Sequence, residues 1–373
     1  MKKLLFCSLL IVLCTLLTAF DFELVLDQTA DYVNTKDDDT FGLEGSFVAK
    51  VSGLLSHNGN YIVSMGISNE DDPWAVIPEL IEAGLFFGFN AGNFCIGRTY
   101  YQDPLGFIVN GYFDGAQVSY DTSVGIFSAG ALYTGLINKK RANIEMTEQE
   151  QLHNISAIKY DDFANTYFAP NRAVVALEWA HPLVTQHLRL GASFLGQFDF
   201  TDEKLDSQYI IAKITMPFRG FSFDLGGCFS LIQHSGESEA AIAAQAGLNW
   251  YTQKQGISFL ARYSGGNNGS FVPFLPVTTV TQGNVYEAKL TGLTMFSLDY
   301  NVRLGHNLFF NISPACFIDN YDSDGGLLGT EIYGKLNWSP FTDIMLGLGG
   351  GVFINQDDDN IWKIELSFVV SFI

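Results

Sequence analysis

Acidic and basic residues at every second position are the feature of this chain whose spacing suggests a task. In Ile361 to Ile373 the side chains of Trp362, Ile364, Leu366, Phe368, Val370 and Phe372 share one face, while Lys363, Glu365, Ser367 and Ser371 share the other. Successive side chains of an extended strand point to opposite faces, so such a segment has an apolar wall and a polar wall. Projected the same way, the polar wall collects Arg98, Asp114, Arg172, Glu178, His187, Arg189, Lys213, Asp224, Arg262, Glu287, Lys289, Asp299, Arg303, Glu331 and Lys335 together with Lys363 and Glu365. Charges of both signs on the inner wall of a closed sheet would line a wet path for polar solutes. Hairpin geometry sets Glu178 opposite Arg189 across a turn at 181–186, Lys213 opposite Asp224 across 217–220, and Arg98 opposite Asp114 across 102–109. Facing opposite charges attract by roughly 0.2–1 kcal/mol per pair, so each pair either stiffens the wall or forms a charged constriction.

Other chemistries fit less well. Asn320-Tyr321-Asp322-Ser323-Asp324-Gly325 with Glu331 has calcium-loop spacing, but Asn320 replaces the usual Asp and no helices flank it. Casual calcium binding by the acidic connections is the milder version of that reading. The histidines are scattered, no GxSxG or HExxH occurs, and no nucleophile with an adjacent base can be drawn from strand positions, so no enzyme activity is expected. Cys95, Cys228 and Cys316 are far apart and outside any CxxC pair, which argues for small apolar strand residues and against a metal or a disulfide. No cofactor motif is present. Asn154-Ile155-Ser156 matches a glycosylation sequon, a short pattern read here as coincidence.

Composition narrows the class. The 373 residues include 53 aromatics (32 Phe, 16 Tyr, 5 Trp) and 37 Gly, far more apolar surface than a disordered chain carries and too few helix formers for a helical repeat. A formal charge of −20 disfavours nucleic acid as a partner, because phosphates are neutralised by basic faces. The clusters at 37–39, 71–72 and 357–359 concentrate acid in connections, for solubility, divalent bridging or attraction of cations to a mouth.

Met1-Lys2-Lys3, an apolar run from Leu4 to Leu17 and small Ala19 read as a secretory signal peptide, residues 1–19, leaving 20–373 as one domain. A lipoprotein signal at Cys14 is the alternative, although Val12-Leu13 supplies no small residue before it. Downstream no run approaches the ~18–20 apolar residues of a membrane helix, whereas the alternating segments reach the ~9–11 residues with which a tilted strand crosses a bilayer.

Turns with short linkers (near 58, 92, 122, 181–186, 217–220, 252–256, 304–306 and 339–343) alternate with mostly longer connections (69–82, 102–109, 137–166, 200–206, 233–239, 265–283, 319–326 and 355–360). Segments from Gly42 onward number 17, and the run Phe20 to Asp27 makes 18, which places both ends on the short-turn side; 16 is the alternative. One alternating run is expected to extend from Tyr286 to Val302, and helix is expected only within 69–88 and 140–160. The fold class is therefore all-β, a transmembrane antiparallel up-and-down barrel. Closure hydrogen-bonds every backbone group within hydrocarbon, and nothing in the sequence offers a second layer to cover the outward Phe, Leu, Ile and Trp.

These features resemble bacterial outer-membrane β-barrels over the whole chain after residue 19. Ile96-Gly97-Arg98-Thr99-Tyr100 with Tyr112-Phe113-Asp114-Gly115 is similar to porin-like families of the alginate-export kind. The resemblance implies a diderm bacterial outer membrane, lipid as surroundings, assembly machinery reading the closing strand Leu366 to Ile373, and passive or weakly selective diffusion of small hydrophilic solutes. The last residue is Ile373, with the aromatic Phe372 before it, a departure from the aromatic final residue of such barrels. The connection 137–166, with Lys139, Lys140, Arg141, Glu145, Glu148 and Glu150, either folds inward as a charged eyelet or stays outside. Two other functions stay open: a surface adhesin or structural barrel, and a transporter of hydrophobic compounds, for which only Asp27 to Thr40 could form a plug. Solute, ion selectivity and oligomeric state are not fixed by the sequence.

Overall fold

A computed structural model describes residues 20–35, 39–70, 75–234, 236–267, 271–321, 325–356 and 359–372. The expected signal segment 1–19, the lipoprotein alternative at Cys14, positions 322–324 of the calcium-like spacing, and positions 37, 38, 71, 72, 357 and 358 of the acidic clusters lie outside the described residues.

The chain forms eighteen strands in one antiparallel sheet. In order they are β1 (Phe20–Asn34), β2 (Asp39–Ser56), β3 (Gly59–Glu70), β4 (Ala75–Phe89), β5 (Gly92–Gln102) and β6 (Asn110–Thr122). Next come β7 (Gly125–Tyr133), β8 (Arg172–Thr185), β9 (Leu188–Asp199), β10 (Asp206–Phe218), β11 (Phe221–His234) and β12 (Glu237–Tyr251). The last six are β13 (Gln255–Ser264), β14 (Leu293–Arg303), β15 (Leu308–Asp319), β16 (Leu327–Phe341), β17 (Ile344–Asn355) and β18 (Ile361–Phe372). Each strand pairs with its sequence neighbours, and β1 pairs with both β2 and β18, so the sheet closes on itself as the even count of eighteen requires.

Alternation sets the two faces. Phe22, Met65, Phe87, Phe229, Leu298 and Trp362 are exposed on the outside, where no second layer among the described residues covers them. Exposed Phe89, Tyr120, Phe218, Phe221, Tyr251, Trp338 and Phe341 gather near the short-turn end, the arrangement of an aromatic girdle at a membrane interface.

Several expectations need correction. Residues 75–88 are strand β4, with no helix: Val76, Pro78 and Leu80 alternate with Ile77, Glu79 and Ile81, and pairing with β3 overrides the local helical spacing. The connection 69–82 therefore shrinks to a few residues, and that at 233–239 to a tight turn at Gly236, whose φ is +88°. Asp27 to Thr40, considered as a plug, spans the end of β1 and the start of β2. The run beginning at Tyr286 becomes strand only at Leu293, because Gly292 turns at φ +60° and Tyr286 stacks on Phe353 at 4.2 Å between ring centres.

One hairpin leaves the wall. The β4–β5 ladder stops at Ala83 opposite Arg98, and the β6–β7 ladder begins at Asp114 opposite Tyr133. Beyond those positions β5 and β6 pair only with each other, up to Gln102 opposite Asn110. Gly97 and Gly115 face one another where the hairpin departs. A Cβ on Gly97, whose φ is +119°, would lie 2.0 Å from the Ala83 carbonyl oxygen, and one on Gly115 2.1 Å from that of Ala131. Only glycine allows this close approach. The hairpin tip crosses the lumen: Lys213 Nζ on β10 donates to the Pro104 carbonyl at 2.8 Å, and Leu105 occupies the space a side chain at Gly226 on β11 would need.

Gly97→Ala is expected to prevent barrel closure, whereas Gly88→Ala, whose added Cβ would meet nothing nearer than the Asn58 carbonyl at 3.8 Å, is expected to fold normally. Electrophoretic migration of unheated against heated protein separates closed from open barrels and checks this.

Candidate functional site

Three connections occupy the lumen: 103–109 at the hairpin tip, 134–171, and 265–292. The second carries α1 (Lys139–Ala142), α2 (Glu148–Ile155) and α3 (Phe163–Tyr167). Thr147 caps α2 and Glu150 closes the reciprocal bond to the cap, the capping-box arrangement that the spacing Thr147 to Glu150 encodes. Loop residues Leu105, Phe107, Ile108, Ile137, Ile144, Phe274 and Val277 pack against inner-wall residues Val174, Ala176, Leu195, Tyr209, Ile211, Cys228 and Ala243, all buried. The polar inner wall expected from alternation is therefore partly apolar along β8 to β12, where loops cover it and Arg172, Gln197 and Ser207 are buried among apolar residues.

Hydrogen bonds lock the three connections to one another. Val277 and Thr278 N–H donate to the Ile108 carbonyl at 2.8 and 3.1 Å, and Thr279 N–H to that of Asn143 at 2.7 Å. Asp103 accepts the N–H groups of Leu105, Gly106, Ile108 and Val109 at 2.7–3.0 Å, which shapes the hairpin tip. Burial pushes this carboxyl's pKa up, and the four amides pull against that shift.

Most of the expected charged residues hold these connections. Arg172, fully buried, donates to Glu150 at 2.7 Å, to Asp199 at 3.1 Å and to the Leu205 carbonyl at 3.0 Å. It binds α2 to the wall and has no access to a passage. Glu331 is 1 % exposed and accepts the N–H groups of Asn284, Val285 and Tyr286 at 2.7–2.9 Å, which commits it to connection 265–292 and removes it from a calcium site. Arg262 donates to Gln282 at 2.7 Å and lies over the Phe107 ring. Arg303 donates to the Gly305 and His306 carbonyls of its own turn. Glu287 and Lys289 lie in the 265–292 connection and pair with Lys363 at 2.9 Å and Glu145 at 2.7 Å. The connection 134–171 thus folds inward, with Glu145 and Glu150 used as ties.

The three expected hairpin pairs fare differently. Glu178 faces Ser193 and accepts from the Tyr101 hydroxyl; Arg189 stands far below it, because the turn is only two residues at 186–187 and an irregularity between His181 and Thr185 takes back part of the resulting shift. Lys213 faces Gly226 and Asp224 faces Thr215, two positions out from the expected pairing, again because the turn is only Arg219-Gly220. Asp224 instead accepts from Thr215 and Asn249. Arg98 and Asp114 do face each other and form a two-pronged pair at 2.8 and 2.9 Å. Their face, however, is the outer one shared with Ile96, Leu85 and Phe87, so they are not on the inner wall. Arg98 also donates to the Leu80 carbonyl of β4 at 2.6 Å and to the Leu136 carbonyl at 2.8 Å, closing the wall where the hairpin leaves it.

The opposite side of the lumen is open. Inward positions of β1 are only partly covered, whereas those of β8 and β10 are largely buried. Glu23, Asp27, Asp31 and Lys50 project there, with Asp299, Lys335, Lys363 and Glu365. Lys335 pairs with Glu365 at 2.5 Å and Lys50 with Glu23 at 3.9 Å. Asp27 forms no hydrogen bond or ion pair among the described residues. Glu23, Asp27, Asp31 and Lys50 are absent from the polar wall expected from the sequence, although Asp21, Glu23 and Asp27 alternate there with Phe20, Phe22, Leu24 and Leu26. Cavities of about 770 Å³ near the short turns, beside His57, Asn60, Glu82 and Gln117, and about 410 Å³ among the long connections, beside Glu145, His234, Glu239 and Lys289, lie at the two ends.

No family model matches the chain, and no curated protein matches it in sequence. Solved structures do match in fold. OccK2 (OpdF) of Pseudomonas aeruginosa superposes with a TM-score of 0.69 at 12% identity over 96% of this chain and 98% of that one, and the same protein is known in complex with glucuronate. OccK3 (OpdO) of Pseudomonas aeruginosa gives a TM-score of 0.67 at 11% identity, over 96% of this chain and 97% of the other. OccAB4 of Acinetobacter baumannii gives 0.64 at 10% identity, over 95% and 98%. The chain shares with these proteins a complete barrel fold.

Glu331→Ala would leave the buried Val285 N–H without an acceptor, at a cost of about 1–3 kcal/mol, and would free the half-buried bonds from Asn284 and Tyr286 as well. Connection 265–292 is then expected to lose protection in hydrogen–deuterium exchange, while the ladders of β1 and β2 keep theirs.

Proposed function

We propose that this protein is an outer-membrane channel through which small hydrophilic solutes diffuse, with a preference for cationic over anionic ones. The observation that carries the reading is a barrel with an apolar outer face and a lumen only half filled, whose free side carries polar and charged groups. A wet, two-ended passage performs no bond chemistry; its selectivity comes from width and field. The barrel fold it shares with OccK2, a protein that binds glucuronate in one crystal form, supports a solute of that size class.

Charge bookkeeping along the free side gives the sign. The ion pairs Lys335 with Glu365, Lys363 with Glu287, and Lys50 with Glu23 nearly cancel. Asp27, and Asp299 hydrogen-bonded to Ser313, add negative charge without a partnered cation among the described residues. The chain's net charge of −20 adds a long-range field of the same sign. Connection 134–171 packs into the lumen and along the β4 edge rather than extending as a free loop, which deprives an adhesin of its expected long surface loop. The segment 1–19 would direct export, and the closing strand β18 would be read during assembly.

Purified protein in a planar bilayer is expected to give discrete single-channel currents, with a reversal potential in a potassium chloride gradient on the potassium side. One unit charge near a wet path is worth about 1 kcal/mol to a passing ion, so Asp27→Asn is expected to lower the cation-to-anion permeability ratio several-fold. Complete absence of current under every solute would reject the channel reading, and an anion preference would reject its sign.

A further inference from the structure

The departing β5–β6 hairpin leaves an edge on β4. Residues Ala75 to Glu82 pair with β3 on one side and have no strand partner on the other among the described residues. The carbonyls on that edge are met by side chains instead: Tyr160 Oη donates to that of Val76, Tyr167 Oη to that of Pro78 at 3.0 Å, and Arg98 to that of Leu80 at 2.6 Å. Two of these three donors come from 158–168 of the long connection, so this stretch wraps the β4 edge after leaving the lumen.

Its far side reaches the outer face of the barrel. Phe163 and Tyr167, stacked at 4.4 Å, complete an almost wholly apolar groove of about 680 Å³ with Phe47, Met65, Ile67 and Leu80. Those four strand residues are outward-facing and exposed, part of the band that continues around the barrel. On the inner side of the same edge Ile77, Ile158 and Tyr167 form a small buried cluster, against which Phe163 and Phe168 pack.

We infer that residues 158–168 lie in the membrane's outer interface, and that the groove they form with β2, β3 and β4 holds lipid acyl chains. The occupant follows from continuity: the groove floor is the same apolar surface that faces hydrocarbon, and its walls offer an incoming group almost nothing polar. The depth is shallow. Lys159, Tyr160, Asp161 and Asp162 are exposed, which sets the segment at headgroup level with its aromatic faces toward the chains. Irregular backbone is tolerated at that depth because side chains and the β4 edge satisfy it. The inference rests on the membrane placement proposed above but not on channel activity.

Site-directed spin labelling in dioleoylphosphatidylcholine vesicles tests it. Labels are placed through Phe163→Cys, with Met65→Cys and Ile67→Cys as lipid-facing references and Asn58→Cys as a water-facing one, the other cysteines being replaced by alanine. The expected result is that position 163 relaxes with dissolved oxygen and is shielded from an aqueous nickel chelate, as positions 65 and 67 are, reversing the accessibility ratio found at 58. If 163 follows 58 while 65 and 67 face lipid, the inference fails and the membrane placement survives. If 65 and 67 also follow 58, the placement itself fails. Should Phe163→Cys not fold, Ala164→Cys on the same turn is read in the same way.

Discussion

Every backbone amide and carbonyl in hydrocarbon needs a partner inside the protein, and that requirement governs this structure wherever it is regular and wherever it is not. Over most of the circumference the answer is the ladder, closed by β1 between β18 and β2. Between β4 and β7 the ladder is broken by a hairpin that turns inward, and the freed carbonyls are answered one at a time by Arg98, Tyr160 and Tyr167. The Arg98 pair with Asp114 is the most exacting of these answers. It sits on the outer face of the strands, where an unpaired arginine costs roughly 2–4 kcal/mol at mid-membrane depth, and it is tolerated because each charge is the other's partner and the Leu136 carbonyl of the long connection accepts a further bond from Arg98.

Turning one hairpin inward has a second consequence. Its tip carries Leu105, Phe107, Ile108 and Val109 into the lumen, where a purely polar interior would leave them in water. The wall from β8 to β12 supplies the matching apolar surface, and the connections 134–171 and 265–292 complete a core of the kind a soluble domain has. Each fully buried side chain of this type contributes about 1.5–3 kcal/mol, so the filling is held by packing and the ion pairs mainly set its register. The lumen is thus divided into a packed half and a free half, and only the free half has geometry for transport.

Period-two alternation made the barrel legible, because each strand has one lipid-facing side and the pattern repeats eighteen times. The glycine-arginine and aspartate-glycine motifs were visible as well, but their role was not: a motif of four residues shows that Gly97 and Gly115 are unusual, and only the register shows that they face each other at a bend. Alternation also misplaced residues wherever the chain leaves the wall. Glu287 and Lys289 keep the period of the strand that follows them, yet Gly292 breaks the ladder first. Arg98 and Asp114 satisfy a pairing rule while belonging to the opposite face. Lys213 with Asp224 failed through turn length, since each residue removed from a turn shifts every pair above it, and Glu178 with Arg189 failed through turn length and the irregularity between His181 and Thr185 together.

These displacements bear on how charge in such a lumen should be interpreted. A charged residue found on an inner-facing strand position can hold a loop, as Arg172 and Glu331 do, or can face the passage, as Asp27 does, and the alternation pattern is identical in the two cases. What separates them is whether a connection arrives to be held. Arginine and glutamate that meet buried backbone groups have had their fields neutralised at short range, and a solute a few ångströms away feels little of them. A carboxylate on the uncovered side keeps its field, so a single such residue outweighs several paired ones in setting the sign of selectivity. The charged groups that matter to a solute are therefore those the packing leaves aside, and in this barrel they include Asp27 on β1, the strand farthest from the filled half, and Asp299 on β14.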